Sequence, residues 1–333
     1  MNPEFKPGAR NAVLACLGVE ARDRVAIVKN ATALDVADAI EEEVRETGAE
    51  LRSWTMEQVL QRPAREFPRG LAEEIVGFRP TASYYIGGGM QGELGFRQPM
   101  LDLLTRQLRC RHGHMIGIDG ELMRDGMAGD YEEIYRVTHR VHEIVRHAAR
   151  IEVQTALGTD LVATFSPDRR WVPSDGRYHG QGLWGNLPEG ETFTAPLAVD
   201  GILVGEEMGD HFTEKYGLFE QPVRLQIAGG ALVSVEAPGD PELKAEIERY
   251  MTQHPNSNRV GEFAIGTNIG LKRIIGNFLQ DEKFPGVHIA FGDPYGAETG
   301  ADWEASSHVD VLASHADIQV DGRKIMEHGR FLV

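Results

Sequence analysis

Apolar and polar positions along this chain change rhythm part-way. In the first half, short continuous apolar runs alternate with helical patterns. "RVAIV" (24–28) reads as a buried strand, residues 33–47 carry apolar positions at helical spacing with Gly48 as the stop, and "ELRSWTM" reads as the next strand. The alternation continues through "LAEEIVGF", "TASYYIGGGM", "LDLLTRQL" and "HMIGID". A strand-helix-strand succession of this kind predicts an open, mostly parallel sheet with helices on both faces. A long helix is predicted from about 130 to 150.

From Ile151 the period becomes two. "RIEVQTALGTDLVATFS", "TFTAPLAVDGILVGE" and "PVRLQIAGGALVSVEA" alternate strand-like, with turn signals at "VDGI" and "AGGA". Helices are expected around 241–253 and 270–278. The predicted fold class is therefore α/β. An N-terminal domain, residues 1–150, is built on an open, mostly parallel sheet, and a strand-rich C-terminal domain, residues 151–333, carries the candidate chemistry. The chain shows no internal repeat and no low-complexity linker.

Composition agrees with two domains, since 333 residues exceed one comfortable core. Hydrophobic residues at 41% and charged residues at 26% are a soluble globular balance. No apolar run approaches the roughly 20 residues of a transmembrane helix. The N-terminal "MNPEFKPGAR" has neither a signal-peptide core nor a lipidation signal, so a cytoplasmic location is expected. Two cysteines, Cys16 and Cys110, fit a reducing compartment and offer no zinc-thiolate spacing. A net charge of -17 argues against nucleic acid and anionic membranes as partners.

Polar residues accumulate beside strands in the second half. "NLPEGETFTAP" places Glu191 at the head of a strand, and "NRVGEFAIGTNIG" places Glu262 between Gly261 and a glycine-punctuated segment. "GVHIAFGDPYG" places His288 on a short apolar strand that ends in a turn bearing Tyr295. In "SSHVDVL", alternation buries Val309 and Val311 and leaves His308 and Asp310 together on the opposite face. Three carboxylates and two imidazoles suit a pair of borderline or hard divalent ions. Each residue alone also reads as a surface carboxylate or a histidine satisfied by a backbone carbonyl.

Taken in order, the blocks "NLPEGETFTAP", "GEFAIGTN", "VHIAFGDPY" and "HVD" closely resemble the aminopeptidase T / aminopeptidase S family of two-metal peptidases. The resemblance implies that Glu191, Glu262, His288, His308 and Asp310 hold two divalent ions, zinc, cobalt or manganese. It makes Tyr295 the catalytic partner, with Glu262 counted among the catalytic groups as well as the ligands. The implied reaction removes an N-terminal residue from a small peptide, and the implied assembly is a homodimer. One glutamate is expected to bridge both ions, and the sequence does not single it out. Tyr295 would donate a hydrogen bond to the developing oxyanion. Ser307, Asp293 and Asn268 are candidates for orienting the ligands.

The chain is shorter than typical aminopeptidases of that family, with less sequence between the histidine block and "HVD". A shorter branch of the fold resembles 2,5-dihydroxypyridine dioxygenase, which opens a pyridine ring with one non-haem iron. On that alternative His288, His308 and Asp310 hold a single Fe(II), and Glu191 and Glu262 are superfluous as ligands. A third reading, metal as a mere staple in a binding protein, leaves Tyr295 beside a full ligand set unexplained.

Other signals read as structural. "HEIVRH" spaces His142 and His147 five apart, about 140° around a helix, which cannot chelate one ion. Cys110, His112 and His114 precede an apolar strand. "GGGMQGELGF" lacks a Walker lysine and the dinucleotide fingerprint, although Glu93 and Arg97 would line a cleft if that loop faced the second domain. Among Arg170, Trp171, Tyr178, His179 and Trp184, His179 is the foremost candidate for an extra polar group in the pocket.

Overall fold

The computed structural model describes residues 2–333. The chain divides into two compact units: residues up to Glu132 together with Gly176–Glu189, and Glu133–Asp175 together with Gly190–Val333.

The first unit is organised on a parallel five-stranded sheet. Numbering strands in chain order, it contains β1 (Arg24–Lys29), β2 (Glu50–Thr55), β3 (Ala82–Gly87), β4 (Arg111–Ile116) and β8 (Trp184–Asn186), in spatial order β2-β1-β3-β4-β8. Val25 to Val28 of β1 are all buried, as a central parallel strand covered on both faces requires. The helix Leu34–Glu46 turns Val36, Ile40 and Val44 inward at helical spacing and gives way at Gly48. Glu93 is fully buried here and accepts hydrogen bonds from Arg62 at 2.7 and 2.8 Å and from the backbone of Ala64 and Met90. It locks its own loop.

The second unit contains the remaining strands. An antiparallel eight-stranded sheet runs β13-β12-β10-β6-β5-β17-β18-β19, from β5 (Arg150–Gln154), β6 (Asp160–Thr164), β10 (Ala198–Gly205), β12 (Val223–Ala228), β13 (Ala231–Glu236), β17 (Asp317–Val320), β18 (Arg323–Glu327) and β19 (Arg330–Phe331). A six-stranded sheet runs β11-β16-β15-β14-β9-β7, from β7 (Val172–Ser174), β9 (Glu191–Thr194), β11 (Glu207–Met208), β14 (Val260–Gly266), β15 (Gly286–Gly292) and β16 (His308–Ser314). One core joins them: Ile151, Leu161, Leu203 and Leu225 of the first sheet pack in the same cluster as Phe263, Ile289, Phe291, Val309 and Val311 of the second. Burying that many large apolar side chains, at about 1.5–3 kcal/mol each, is what holds the unit together against chain entropy.

Three differences from the sequence expectation have physical causes. The division near Arg150 is displaced, because the helix Tyr131–Val145 sends Val141 and Val145 into the second unit's core. Residues 176–189 return to the first unit, where three-residue β8 extends the parallel sheet beside β4; so short a strand shows no periodicity. The helix expected over 270–278 does not form, and the helical turn there is only Phe278–Asp281. The Asp281 carboxylate takes the backbone N–H groups of Ile275, Gly276 and Asn277, which ties the segment into a turn.

Candidate metal centre

Four neighbouring strands bring the five donors to one face of the six-stranded sheet. Register places Gly266 opposite Glu191, Ala264 opposite His288, Ala290 opposite both Glu262 and Asp310, and Gly292 opposite His308. Each donor therefore has a glycine or alanine on at least one neighbouring strand, although His288 also faces Leu312. The opposite face carries Phe263, Ile265, Val287, Ile289, Val309 and Val311 into the core. The period-two expectation for His308 and Asp310 matches this arrangement.

Glu262 reaches the donor face only through a β-bulge. Pairing shifts between Val260, opposite Phe291, and Glu262, opposite Ala290, and Gly261 is the extra residue. Val260 and Phe263 thus both face the core although they are three apart. A Cβ on residue 261 would lie 2.4 Å from the Gly292 carbonyl oxygen, so glycine is required there.

The donors converge closely. Nε2 of His288 lies 3.4 Å from Glu191 Oε2, 3.4 Å from Glu262 Oε1 and 3.9 Å from Asp310 Oδ1. Nε2 of His308 lies 3.5 Å from Glu262 Oε2 and 3.4 Å from Asp310 Oδ1. Each imidazole is oriented from behind: His288 Nδ1 donates to the Glu282 carbonyl at 3.0 Å, and His308 Nδ1 donates to the Asp293 carbonyl at 2.9 Å. A carbonyl only accepts, so Nδ1 carries the hydrogen and each neutral ring turns its Nε2 lone pair toward the carboxylates. Lone pairs facing carboxylates at these distances call for a cation or a proton between them.

Two residues that sequence reasoning missed complete the cluster. Glu282 shares a donor group with His288 and Asp310. Lys283, almost wholly buried, places Nζ 2.7 Å from Glu191 Oε1 and 2.8 Å from Glu282 Oε1. Their only sequence signal is the charged run "DEK" ahead of an apolar strand, which ordinarily marks a solvated loop.

Four carboxylates thus face one ammonium, an excess of three negative charges when the imidazoles are neutral. The field shows in the ionisation of the groups. Burial works to lower the His288 and His308 pKa values, but Glu262, Glu191 and Asp310 outweigh it and lift them to about 9 and about 10. Burial opposes ionisation of Asp310, yet the His308 charge and hydrogen bond hold it at about 2. Burial pushes Glu262 up, with His288 partly opposing, and pushes Glu282 up to about 8. Glu191 Oε2 is buried without a hydrogen-bond partner and faces His288 Nε2 across 3.4 Å. Mixed imidazole and carboxylate donors with an orphaned oxygen and surplus negative charge fit divalent metal ions.

Tyr295 stands at the rim. Its ring centroid is 4.6 Å from that of His308 and 6.0 Å from that of Phe193. The residue sits at φ 49°, a left-handed conformation that a bulky side chain adopts only under constraint. The constraint is local: its N–H donates to Asp293 Oδ1 at 2.9 Å, and its carbonyl accepts from Thr299. The residue is 41% exposed as a whole, but desolvation of the hydroxyl and the charges of Glu262 and Asp310 push its pKa up, so the phenol keeps its proton.

The candidates for orienting the ligands divide. Asp293 orients His308 through its main chain and Tyr295 through its side chain. Ser307 is paired with Ser257, and Asn268 donates its N–H to the Lys283 carbonyl. His179 is engaged elsewhere, with Nε2 2.9 Å from the Ala15 carbonyl oxygen of the first unit. His112 and His114 are buried against each other with 3.2 Å between ring nitrogens, and burial pushes His112 down to about 3. Two concave pockets of the second unit, around Leu197 and Arg259 and around Tyr216 and Pro238, hold none of the five donors. Donor chemistry, not concavity, marks the site.

Residues 121–330, which include every donor, match the family of thermophilic metalloproteases M29. The chain belongs to this family. It is therefore a member of a metal-dependent peptidase family, and the M29 match covers the whole donor face. No curated relative matches the sequence. Among solved structures, AmpT from Thermus thermophilus aligns over 99% of both chains with a TM-score of 0.74 at 18% identity. The 2,5-dihydroxypyridine dioxygenase of Pseudomonas putida KT2440 aligns over 100% of this chain and 98% of its own, with a TM-score of 0.70 at 15% identity. At those identities the two structures establish the shared fold. No helix among the described residues is long and apolar enough to cross a membrane.

Proposed function

We propose that this M29 protein is an aminopeptidase that uses two divalent ions, zinc, cobalt or manganese, to hydrolyse the N-terminal amide bond of a short peptide. The observation that carries the reading is Glu262, which presents one oxygen to each imidazole and so is suited to span two ions. Glu191 and His288 would complete one side, and His308 and Asp310 the other. When bound, such ions supply Lewis acidity at the scissile carbonyl and bring the pKa of a bound water towards neutrality.

The protein's own groups have separate tasks. The backbone carbonyls of Glu282 and Asp293 keep Nδ1 of each histidine protonated and Nε2 available. Tyr295 keeps its proton and donates a hydrogen bond to the oxyanion as it develops. Since Glu262 would use both oxygens as a ligand, the proton-carrying carboxyl falls to Glu282, the carboxyl of the cluster without a ligand role, whose Oε1 lies 2.8 Å from the Lys283 ammonium.

A second reading rests on Asp310, whose Oδ1 lies 3.9 Å from one imidazole Nε2 and 3.4 Å from the other. Two histidines and one carboxylate would hold a single Fe(II) for oxygen-dependent ring cleavage. Anaerobic metal analysis of protein purified without chelator separates the two. About two equivalents of zinc, manganese or cobalt with turnover of aminoacyl amides support the peptidase. One equivalent of iron with oxygen uptake on dihydroxypyridines overturns it in favour of the dioxygenase.

A further inference from the structure

The carboxylates of the cluster are not equivalent, and the difference lies in one buried cation. Lys283 ends the turn that follows the helix Phe278–Asp281, and its backbone is pinned on both sides. Its N–H donates to the Gln280 carbonyl at 2.9 Å, and its carbonyl accepts from the Asn268 N–H at 2.9 Å. Gly266 permits this approach, since a Cβ there would stand 2.8 Å from the Lys283 carbonyl. The ammonium is thereby delivered between Glu191 Oε1 and Glu282 Oε1.

Resting on the two-ion reading, we propose that Lys283 is a positioning residue that fixes Glu191 as a one-oxygen donor and holds Glu282 back from the metal ions. The oxygens divide accordingly. Glu191 Oε1 is taken by the ammonium while Oε2, 3.4 Å from His288 Nε2, is left without a hydrogen-bond partner. Glu262 has no such restraint, and its two oxygens go one to each histidine. A fixed ammonium repels a metal ion from the Glu282 side of the cluster, and it removes one negative charge that would otherwise favour a further or harder cation. Lys283 therefore sets both how many ions the site takes and its balance between nitrogen-preferring zinc and oxygen-preferring manganese.

The test is calorimetric titration of chelator-stripped protein with zinc chloride and with manganese chloride, and ion counting after dialysis. Lys283→Met and Lys283→Gln both remove the charge, so one can fail to fold without ending the test, and Lys283→Arg restores it. The expected result is manganese binding about tenfold tighter, or an additional equivalent, in the neutral variants, with zinc preference reduced and Lys283→Arg behaving as wild type. Glu282→Gln is expected to keep the wild-type number of ions, since its carboxylate is not a ligand. Neutral variants whose manganese affinity and count match wild type, or loss of an ion on Glu282→Gln, overturn the proposal while leaving the two-ion reading standing. Wild-type protein that takes up neither ion overturns both.

Discussion

His308 and Asp310, two residues apart on β16, meet with Nε2 3.4 Å from Oδ1, so the strand's own pleat makes the pair. The pair binds a proton where a metal ion would bind. With pKa values lifted to about 9 and about 10, His288 and His308 are imidazolium at neutral pH in metal-free protein. Metal ligation needs both Nε2 atoms neutral, so uptake must expel those protons. Calorimetry of zinc binding at pH 7.5, in buffers of different ionisation enthalpy, should report about two protons released from the imidazoles. Affinity should rise with pH and level off above about 10, once the later imidazole is neutral. Heats that do not depend on the buffer would contradict the protonated cluster.

Gly261 controls the aim of Glu262. Gly261→Ala puts a methyl 2.4 Å from the Gly292 carbonyl, a backbone atom that cannot swing aside. The expected cost is about 1–3 kcal/mol of stability together with weakened metal uptake, because relieving the clash means shifting the bulge. Gly70, in the helix Arg69–Phe78 with open space around it, is the control, and Gly70→Ala should be neutral or slightly stabilising. Urea midpoints and metal counts on the two variants make the comparison. Unchanged metal uptake in folded Gly261→Ala would show that the bulge does not position the ligand.

Tyr295 is outside the donor set, so its loss should separate chemistry from metal binding. Tyr295→Phe keeps the ring against His308 and Phe193 and removes only the hydroxyl. If that hydroxyl donates to the oxyanion, kcat on an aminoacyl amide should fall about 100-fold or more with KM and metal content held. A variant with full kcat would remove Tyr295 from the mechanism.

Much of this site was legible in the sequence, for a physical reason. Period two alone puts His308 and Asp310 on one face of a short strand, whereas Glu191, Glu262 and His288 join them in the sequence only through the resemblance of the ordered blocks, and Glu262 needs a bulge to face the others. "VGEF" even carries the bulge in its letters, since Val260 and Phe263 are both core residues at a spacing that a regular strand forbids. Glu282 and Lys283 were illegible because a charged run looks the same whether solvated or buried; only the pairing of β14 with β15 encloses it. The expected helix at 270–278 failed likewise: the sequence shows no competitor for its N–H groups until Asp281 folds back on them. Which glutamate is suited to span two ions depends on where individual oxygens point, and the Lys283 ammonium that takes Glu191 Oε1 lies outside the motif.

Glu207 and Asp281 form a second carboxylate pair, fully buried, whose behaviour is a prediction about stability. Asp281 Oδ2 accepts three backbone N–H groups, which favours its charged form, while Glu207 Oε1 accepts only from Thr213 at 2.6 Å. Burial first and the Asp281 charge second push Glu207 up to about 9. The proton therefore belongs on Glu207, where it gives the otherwise unpartnered Glu207 Oε2 and Asp281 Oδ1 a hydrogen bond to share. A carboxyl whose pKa is raised on folding stabilises fully below its unfolded value of roughly 4.3, and that stability is lost as pH climbs through the folded value near 9. Glu207→Gln replaces the shared proton with an amide N–H that does not titrate. Urea midpoints from pH 5 to 9.5 should decline for wild type relative to the variant, whose advantage grows steadily toward alkaline pH. Parallel curves across that range would mean that Glu207 is already ionised in the folded protein.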